Sequence, residues 1–218
     1  MLGVRMRQFF TLPNLLTLVR LVVSPLMLPI LLVYLLPFNT LWINGSLAVL
    51  FVLFSLTDFF DGYLARKYQQ VTTIGKILDP IADKCLVYST LIALLAIHKI
   101  FFIWVIILIG RDFFMMGLRQ VALKHGFSIS VTFLGKIKTM VQLVFLTVLI
   151  FNPYHSLQDT GLAGWIEDFW REPRWMAVEG VLLAATILLA LVSVRDYYRA
   201  FIDQFMKSQS EEKSSTSD

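Results

Sequence analysis

The chain has 218 residues, is 57% hydrophobic and only 16% charged, and carries a formal net charge of +4. A soluble domain is nearer half apolar and about a quarter charged, and the excess here is gathered into runs long enough to cross a bilayer, which takes roughly 20 residues per helix. A soluble domain with a single anchor is therefore excluded, and the small positive excess gives no reason to expect nucleic acid as a partner.

Residues 1–12 mix Arg5 and Arg7 with Phe9 and Phe10, the pattern of an interfacial segment leading into a membrane. Six apolar runs follow, at roughly 13–36, 42–65, 77–98, 101–123, 131–152 and 176–200. None alternates as a membrane β-barrel strand does. The expected fold is all-α and integral to the membrane, with six transmembrane helices over residues 13–205. The first run starts after Pro13 and Asn14, is too long for a signal-peptide core and has no small-residue cleavage site, so it is read as a retained helix. The connection from Asn152 to Trp175 holds Trp165, Trp170 and Trp175, which suits an aromatic belt at the outer interface. Residues 206–218, rich in Ser, Glu and Lys, are expected to form a disordered cytoplasmic tail.

Basic residues alternate between the two sides. Arg5 and Arg7, then Arg66, Lys67 and Lys76, then Arg111, Arg119, Lys124, Lys136 and Lys138, then Arg195, Arg199, Lys207 and Lys213 fall on one side. The other side has Lys99, Arg171 and Arg174, the last two diluted by acids. The positive-inside rule then puts both termini in the cytoplasm. Cys85 is the one cysteine, so no internal disulfide can form. Its apolar surroundings suit a packed small side chain better than a nucleophile.

The second run ends in Asp58-x-x-Asp61-Gly62-x-x-Ala65-Arg66, and after eight residues the third opens with Gly75-x-x-x-Asp79-x-x-x-Asp83. Acids inside a membrane are costly, and four at one level mark a functional site. On a helix, positions 58, 61, 62, 65 and 66 share one face, as do 75, 79 and 83. Two opposed faces would bring four carboxylates together, where repulsion and desolvation would force some to protonate. Two divalent cations would neutralise all four. The ligands are all oxygen, which selects hard ions such as Mg²⁺ or Mn²⁺, and such ions suit phosphate chemistry. Gly62, Ala65 and Gly75 leave room for a ligand near the backbone, and Arg66 can pair with a phosphate. Two other readings stay open on the residues alone: ion pairs with Arg66, Lys76 and Lys84 that only hold helices together, or a cation pathway.

Asn14, Thr17 and Arg20 form a polar stripe on the first run, although Asn14 and Thr17 are equally suited to capping a helix start. Arg111 and Arg119 on the fourth run, with Lys136 and Lys138 opening the fifth, offer a basic pocket for an anionic substrate. Snorkelling is the competing account of lysines at such positions. His98, His125 and His155 have no nucleophilic partner motif, so no covalent route is indicated.

The paired motif resembles the signature of the CDP-alcohol phosphotransferases at every specified position. The resemblance extends over about Pro13 to Arg199 and implies a six-helix fold, usually in a homodimer. It implies that Asp58, Asp61, Asp79 and Asp83 hold metal and that Asp83 is also the general base. It further implies that Gly62, Ala65, Arg66, Thr72 and Gly75, with Asn14, Thr17 and Arg20, contact a CDP-lipid, CDP-diacylglycerol. Within the family, Pro13-Asn14-Leu15-Leu16-Thr17, Gly110-Arg111-Asp112 and Gly135-Lys136-Ile137-Lys138-Thr139 are similar to bacterial inner-membrane members whose acceptor is sn-glycerol 3-phosphate. That acceptor would sit on Arg111, Arg119, Lys136 and Lys138. Members that use phosphatidylglycerol share similar segments, so that acceptor stays open. Asp112 and Gln120 stand where relatives often have Glu.

Overall fold

Six α-helices and one short 3-10 turn account for most of the residues described. The computed structural model describes residues 25–67, 73–125, 127, 133–154 and 172–215; over 58–67, 73–83, 133–134, 136 and 207–215 it describes the backbone alone. Helix α1 covers residues 25–35 and tightens into the 3-10 turn Leu36–Phe38. Then come α2 (Leu41–Lys67), α3 (Thr73–Ala96), α4 (Phe102–Lys124), α5 (Phe133–Phe151) and α6 (Pro173–Ser215). The expected runs at 42–65, 77–98, 101–123 and 131–152 coincide with α2 to α5 to within about four residues. Asn14, Thr17, Arg20 and Thr72, the segment 1–12 and most of the 152–175 connection lie outside the described residues.

The last helix is longer than expected. At 43 residues it is about 64 Å long, twice the roughly 30 Å of a hydrocarbon core. It continues through Lys207 to Ser215, where a disordered tail was expected. Glu211, Glu212 and Lys213 are good helix formers, and extending an existing helix needs no new nucleus.

Among the described residues, only the stretch Pro173–Met206 of α6 is both long and apolar enough to cross a membrane. Shorter apolar stretches occupy Pro25–Phe38, Leu41–Thr57, Lys84–Ala96 and Ile137–Phe151. In α4, Arg111, Asp112 and Arg119 interrupt an otherwise apolar helix.

The helices are apolar outside as well as inside. On α2, Asn44, Leu47, Ala48 and Phe51 are buried, while Trp42, Val49, Leu53 and Leu56 on another face are exposed. On α6 the buried stripe Glu179, Leu183, Thr186, Ala190, Ser193, Tyr197 and Phe201 carries the polar groups, and Val181, Leu188 and Leu191 face outward. A soluble helix has the reverse polarity. The hydroxyls of Ser55, Thr57, Thr90, Thr139 and Thr186 each donate to the carbonyl one turn back at 2.7–3.1 Å, so they carry no unmet bond into apolar surroundings.

The chain divides into two compact units, one running to Phe101 and including Leu146–Met176, the other formed by Phe102–Phe145 and the chain from Ala177 onward. In the first, α3 closes with a Schellman motif. His98 takes the left-handed conformation (φ 60°), the Lys99 N–H returns to the Leu94 carbonyl at 2.9 Å, and the His98 N–H returns to Leu95 at 3.0 Å. This turn directs the Lys99 side chain, which is fully buried, onto the end of α5. Its Nζ donates to the carbonyls of Leu149 (3.2 Å) and Asn152 (2.6 Å). Continuing the helix, Leu149 would accept from residue 153, but that residue is proline and has no N–H. Lys99 takes the place of the missing donor, and its charge suits the negative end of the helix. Asn39, itself left-handed at φ 48°, accepts from Asn44 and donates to the Pro153 carbonyl, completing the knot.

In the second unit Tyr197 and Phe201 of α6 are buried with Ala122 of α4, and Met115, Leu118, Phe127 and Phe205 pack against them. Phe127 and Phe205 lie 5.7 and 5.8 Å from Phe201, and His125 meets Phe205 edge-on at 5.1 Å. These aromatic pairs join the far part of α6 to the end of α4, which explains why the helix stays ordered beyond its apolar stretch.

Candidate active site

The acidic motif depends on one local condition, a helical backbone on both sides of the 68–72 connection. That condition is met. Residues 58–67 complete α2 and residues 73–83 open α3 without interruption, and the two helices touch. Asp58, Asp61, Gly62, Ala65 and Arg66 thus share one face of α2, and Gly75, Asp79 and Asp83 one face of α3. The donor set is four carboxylates with no sulfur or imidazole among them, which fits a hard divalent cation. Among the described side chains, which do not include those of Asp58, Asp61, Asp79 and Asp83, no group of three or more His, Cys, Asp or Glu residues gathers to hold a metal ion.

The basic residues occupy the second unit, and the structure resolves them unequally. Arg111 and Asp112, neighbours on α4, form an ion pair at 2.5 Å. Lys138 of α5 reaches the same carboxylate, 3.1 Å from Oδ1 and 3.3 Å from Oδ2. Lys138 is fully buried and Asp112 is 2% exposed. On its other side the Arg111 guanidinium donates to the Ser193 hydroxyl of α6 at 2.7 Å. Three helices therefore meet at Arg111, Asp112, Lys138 and Ser193. Arg119 is exposed two turns further along α4 and stands apart from this group. Lys136 is placed in α5 by its backbone.

Of the four basic residues expected at an acceptor pocket, Arg111 and Lys138 are brought together. Asp112 and Ser193, which hold them, were not expected at a site. Asp112 carried a signal, an acid in the middle of an apolar run. Ser193 carried none, since a serine in an apolar helix usually bonds its own backbone.

The sequence profile of the CDP-alcohol phosphatidyltransferases matches residues 10–192, which takes in both aspartate pairs and the Arg111–Asp112–Lys138 group. The chain belongs to the CDP-alcohol phosphatidyltransferase family. It is similar to the CDP-diacylglycerol–glycerol-3-phosphate 3-phosphatidyltransferase of Rickettsia felis, with 43% identity over 144 residues, covering 64% of this chain and 74% of the relative. The protein of the same name from Rickettsia prowazekii is 44% identical over equal shares. That of Bacillus subtilis is 37% identical over 178 residues, or 73% of this chain and 89% of the relative. As a member of the CDP-alcohol phosphatidyltransferase family, the chain is an enzyme of phospholipid synthesis rather than a transporter or a purely structural bundle.

Proposed function

We propose that the protein transfers the phosphatidyl group of CDP-diacylglycerol to sn-glycerol 3-phosphate, forming phosphatidylglycerophosphate and CMP. One observation carries this reading: the complete aspartate motif lies on two touching helices of a family member whose relatives are named for that reaction. Asp58, Asp61, Asp79 and Asp83 would hold Mg²⁺ or Mn²⁺, in our reading two ions, which when bound neutralise the pyrophosphate and the departing CMP.

The chain's own residues do the rest. Asp83 accepts the proton of the 1-hydroxyl of glycerol 3-phosphate. The freed oxygen attacks the β-phosphorus, and the bond from that phosphorus to the oxygen of CMP breaks. Arg66 pairs with the pyrophosphate, and Gly62, Ala65 and Gly75 admit the nucleotide close to the backbone. Asn14, Thr17, Arg20 and Thr72 complete the CDP-lipid site. Arg111, Arg119, Lys136 and Lys138 receive the phosphate of the acceptor.

The same reading makes residues 13–205 a six-span domain of the bacterial inner membrane, preceded by an interfacial segment at 1–12 and paired as a homodimer. Both termini and the active site face the cytoplasm. The outward apolar faces of α2 and α6 support the lipid setting, and the distribution of basic residues supports the orientation.

The test is CMP release by purified protein in detergent. It should require CDP-diacylglycerol, glycerol 3-phosphate and Mg²⁺ or Mn²⁺, and chelation should abolish it. Asp83→Asn should lower turnover at least about a hundredfold while CDP-diacylglycerol still binds. Release with phosphatidylglycerol instead would move the acceptor, and wild-type turnover by the Asp83 variant would remove it as base.

A further inference from the structure

The buried stripe of α6 carries two small hydroxyls, and they are used differently. Thr186 donates to the Leu182 carbonyl one turn back, at 2.7 Å, the usual fate of a hydroxyl on an apolar helix. Ser193 lies about two turns further on and is fully buried. Its hydroxyl accepts from the Arg111 guanidinium of α4, 82 residues earlier in the chain, at 2.7 Å. A buried hydroxyl is costly unless it is hydrogen-bonded, and alanine is the better helix former. Packing alone would thus favour alanine at this position; what serine adds is the bond to Arg111.

Arg111 has use for such a partner. Its stem is long and rotatable, whereas its guanidinium is a rigid planar fork. One terminal nitrogen donates to Asp112, the next residue on the same helix, and the other donates to Ser193 on a different helix. A single bond would leave the plane free to turn about the point of contact. Bonds from both terminal nitrogens, to two helices, fix it. Nε has no hydrogen-bond partner, and the side chain remains 12% exposed. The guanidinium is therefore held in place without being sealed off.

The geometry points to Ser193 as a positioning residue for the acceptor. By fixing the Arg111 guanidinium it sets the plane in which that fork meets the acceptor phosphate. Ser193 acts through Arg111 and needs no contact with substrate. This rests on the proposed reaction, in which Arg111 receives the phosphate of the acceptor, and it gives the last helix a part in selecting that acceptor. A fork turned out of plane still attracts an anion by its charge but loses the two-point fit. The effect therefore falls on the acceptor and not on the CDP-lipid.

The test uses Ser193→Ala and Ser193→Thr in the full-length protein. Ser193→Ala should raise the KM for glycerol 3-phosphate roughly fivefold, the worth of one hydrogen bond, and leave kcat and the KM for CDP-diacylglycerol within about twofold. Ser193→Thr keeps the hydroxyl and should restore the acceptor KM to within about twofold of wild type. An unchanged acceptor KM in Ser193→Ala, equal rises for both substrates, or no rescue by threonine would each overturn the assignment. Failure of either variant to fold would do the same, by making Ser193 a purely structural serine. Inorganic phosphate provides a separate arm. It should raise the melting temperature of wild type and Ser193→Thr, and do so far less in Ser193→Ala; an equal rise in all three, or none in wild type, counts against the inference. If phosphate protects in that pattern but no CMP is released with glycerol 3-phosphate, the proposed acceptor falls and the role of Ser193 stands. If CMP is released and Ser193→Ala has the wild-type acceptor KM, the reaction stands and the role of Ser193 falls.

Discussion

Lys99 and Lys138 are both fully buried lysines, and their surroundings could hardly differ more. Lys99, in the first unit, donates to two backbone carbonyls at the end of α5. It completes a helix terminus that Pro153 leaves short of a donor. Lys138, in the second unit, faces a carboxylate that it shares with Arg111. A buried cation is costly wherever it lies; carbonyl dipoles offset that cost for Lys99, and a carboxylate offsets it for Lys138. Burial alone does not separate a structural lysine from a functional one; the kind of partner it meets differs between these two.

Three substitutions put that contrast at risk. The largest effect is expected from Lys138→Met, which should raise the KM for glycerol 3-phosphate at least about tenfold and leave that for CDP-diacylglycerol within about twofold. Steady-state kinetics with each substrate varied in turn would show this, and an equal rise in both would make Lys138 as structural as Lys99. Lys99→Met should do the opposite. Loss of its two carbonyl bonds should cost about 2 kcal/mol of stability, seen as a lower melting temperature in detergent, with both KM values unchanged. A KM effect without loss of stability would remove the distinction. The smallest effect is expected from Arg119→Ala. That side chain is exposed, and screened surface charges are worth little, so the KM for glycerol 3-phosphate should rise only about two- to threefold.

Local pattern was legible in the sequence, and long-range pairing was not. The apolar runs marked α2 to α5 because every turn of an apolar helix repeats the signal. The aspartate motif was legible because its spacing falls on one helical face and its acids are out of place in a membrane. Lys138 could be suspected as a cation, but its partner Asp112 lies 26 residues away and Ser193 lies 82 residues from Arg111. No periodicity encodes such a meeting. Lys99 was counted only as a charge on the sparsely basic side, since its partners are carbonyls 50 and 53 residues further on. The far end of α6 was missed for a related reason. Ser, Glu and Lys give a segment no core of its own, while Phe201 and Phe205 just before it anchor the helix on Phe127 and His125.

The most direct test of the central claim follows the oxygen atom. Glycerol 3-phosphate carrying oxygen-18 in its 1-hydroxyl would be given to the purified protein with CDP-diacylglycerol and Mg²⁺, and both products weighed by mass spectrometry. Direct transfer predicts phosphatidylglycerophosphate that keeps the label in its bridging oxygen and CMP that contains none. Label in CMP, or an unlabelled lipid product, would contradict it.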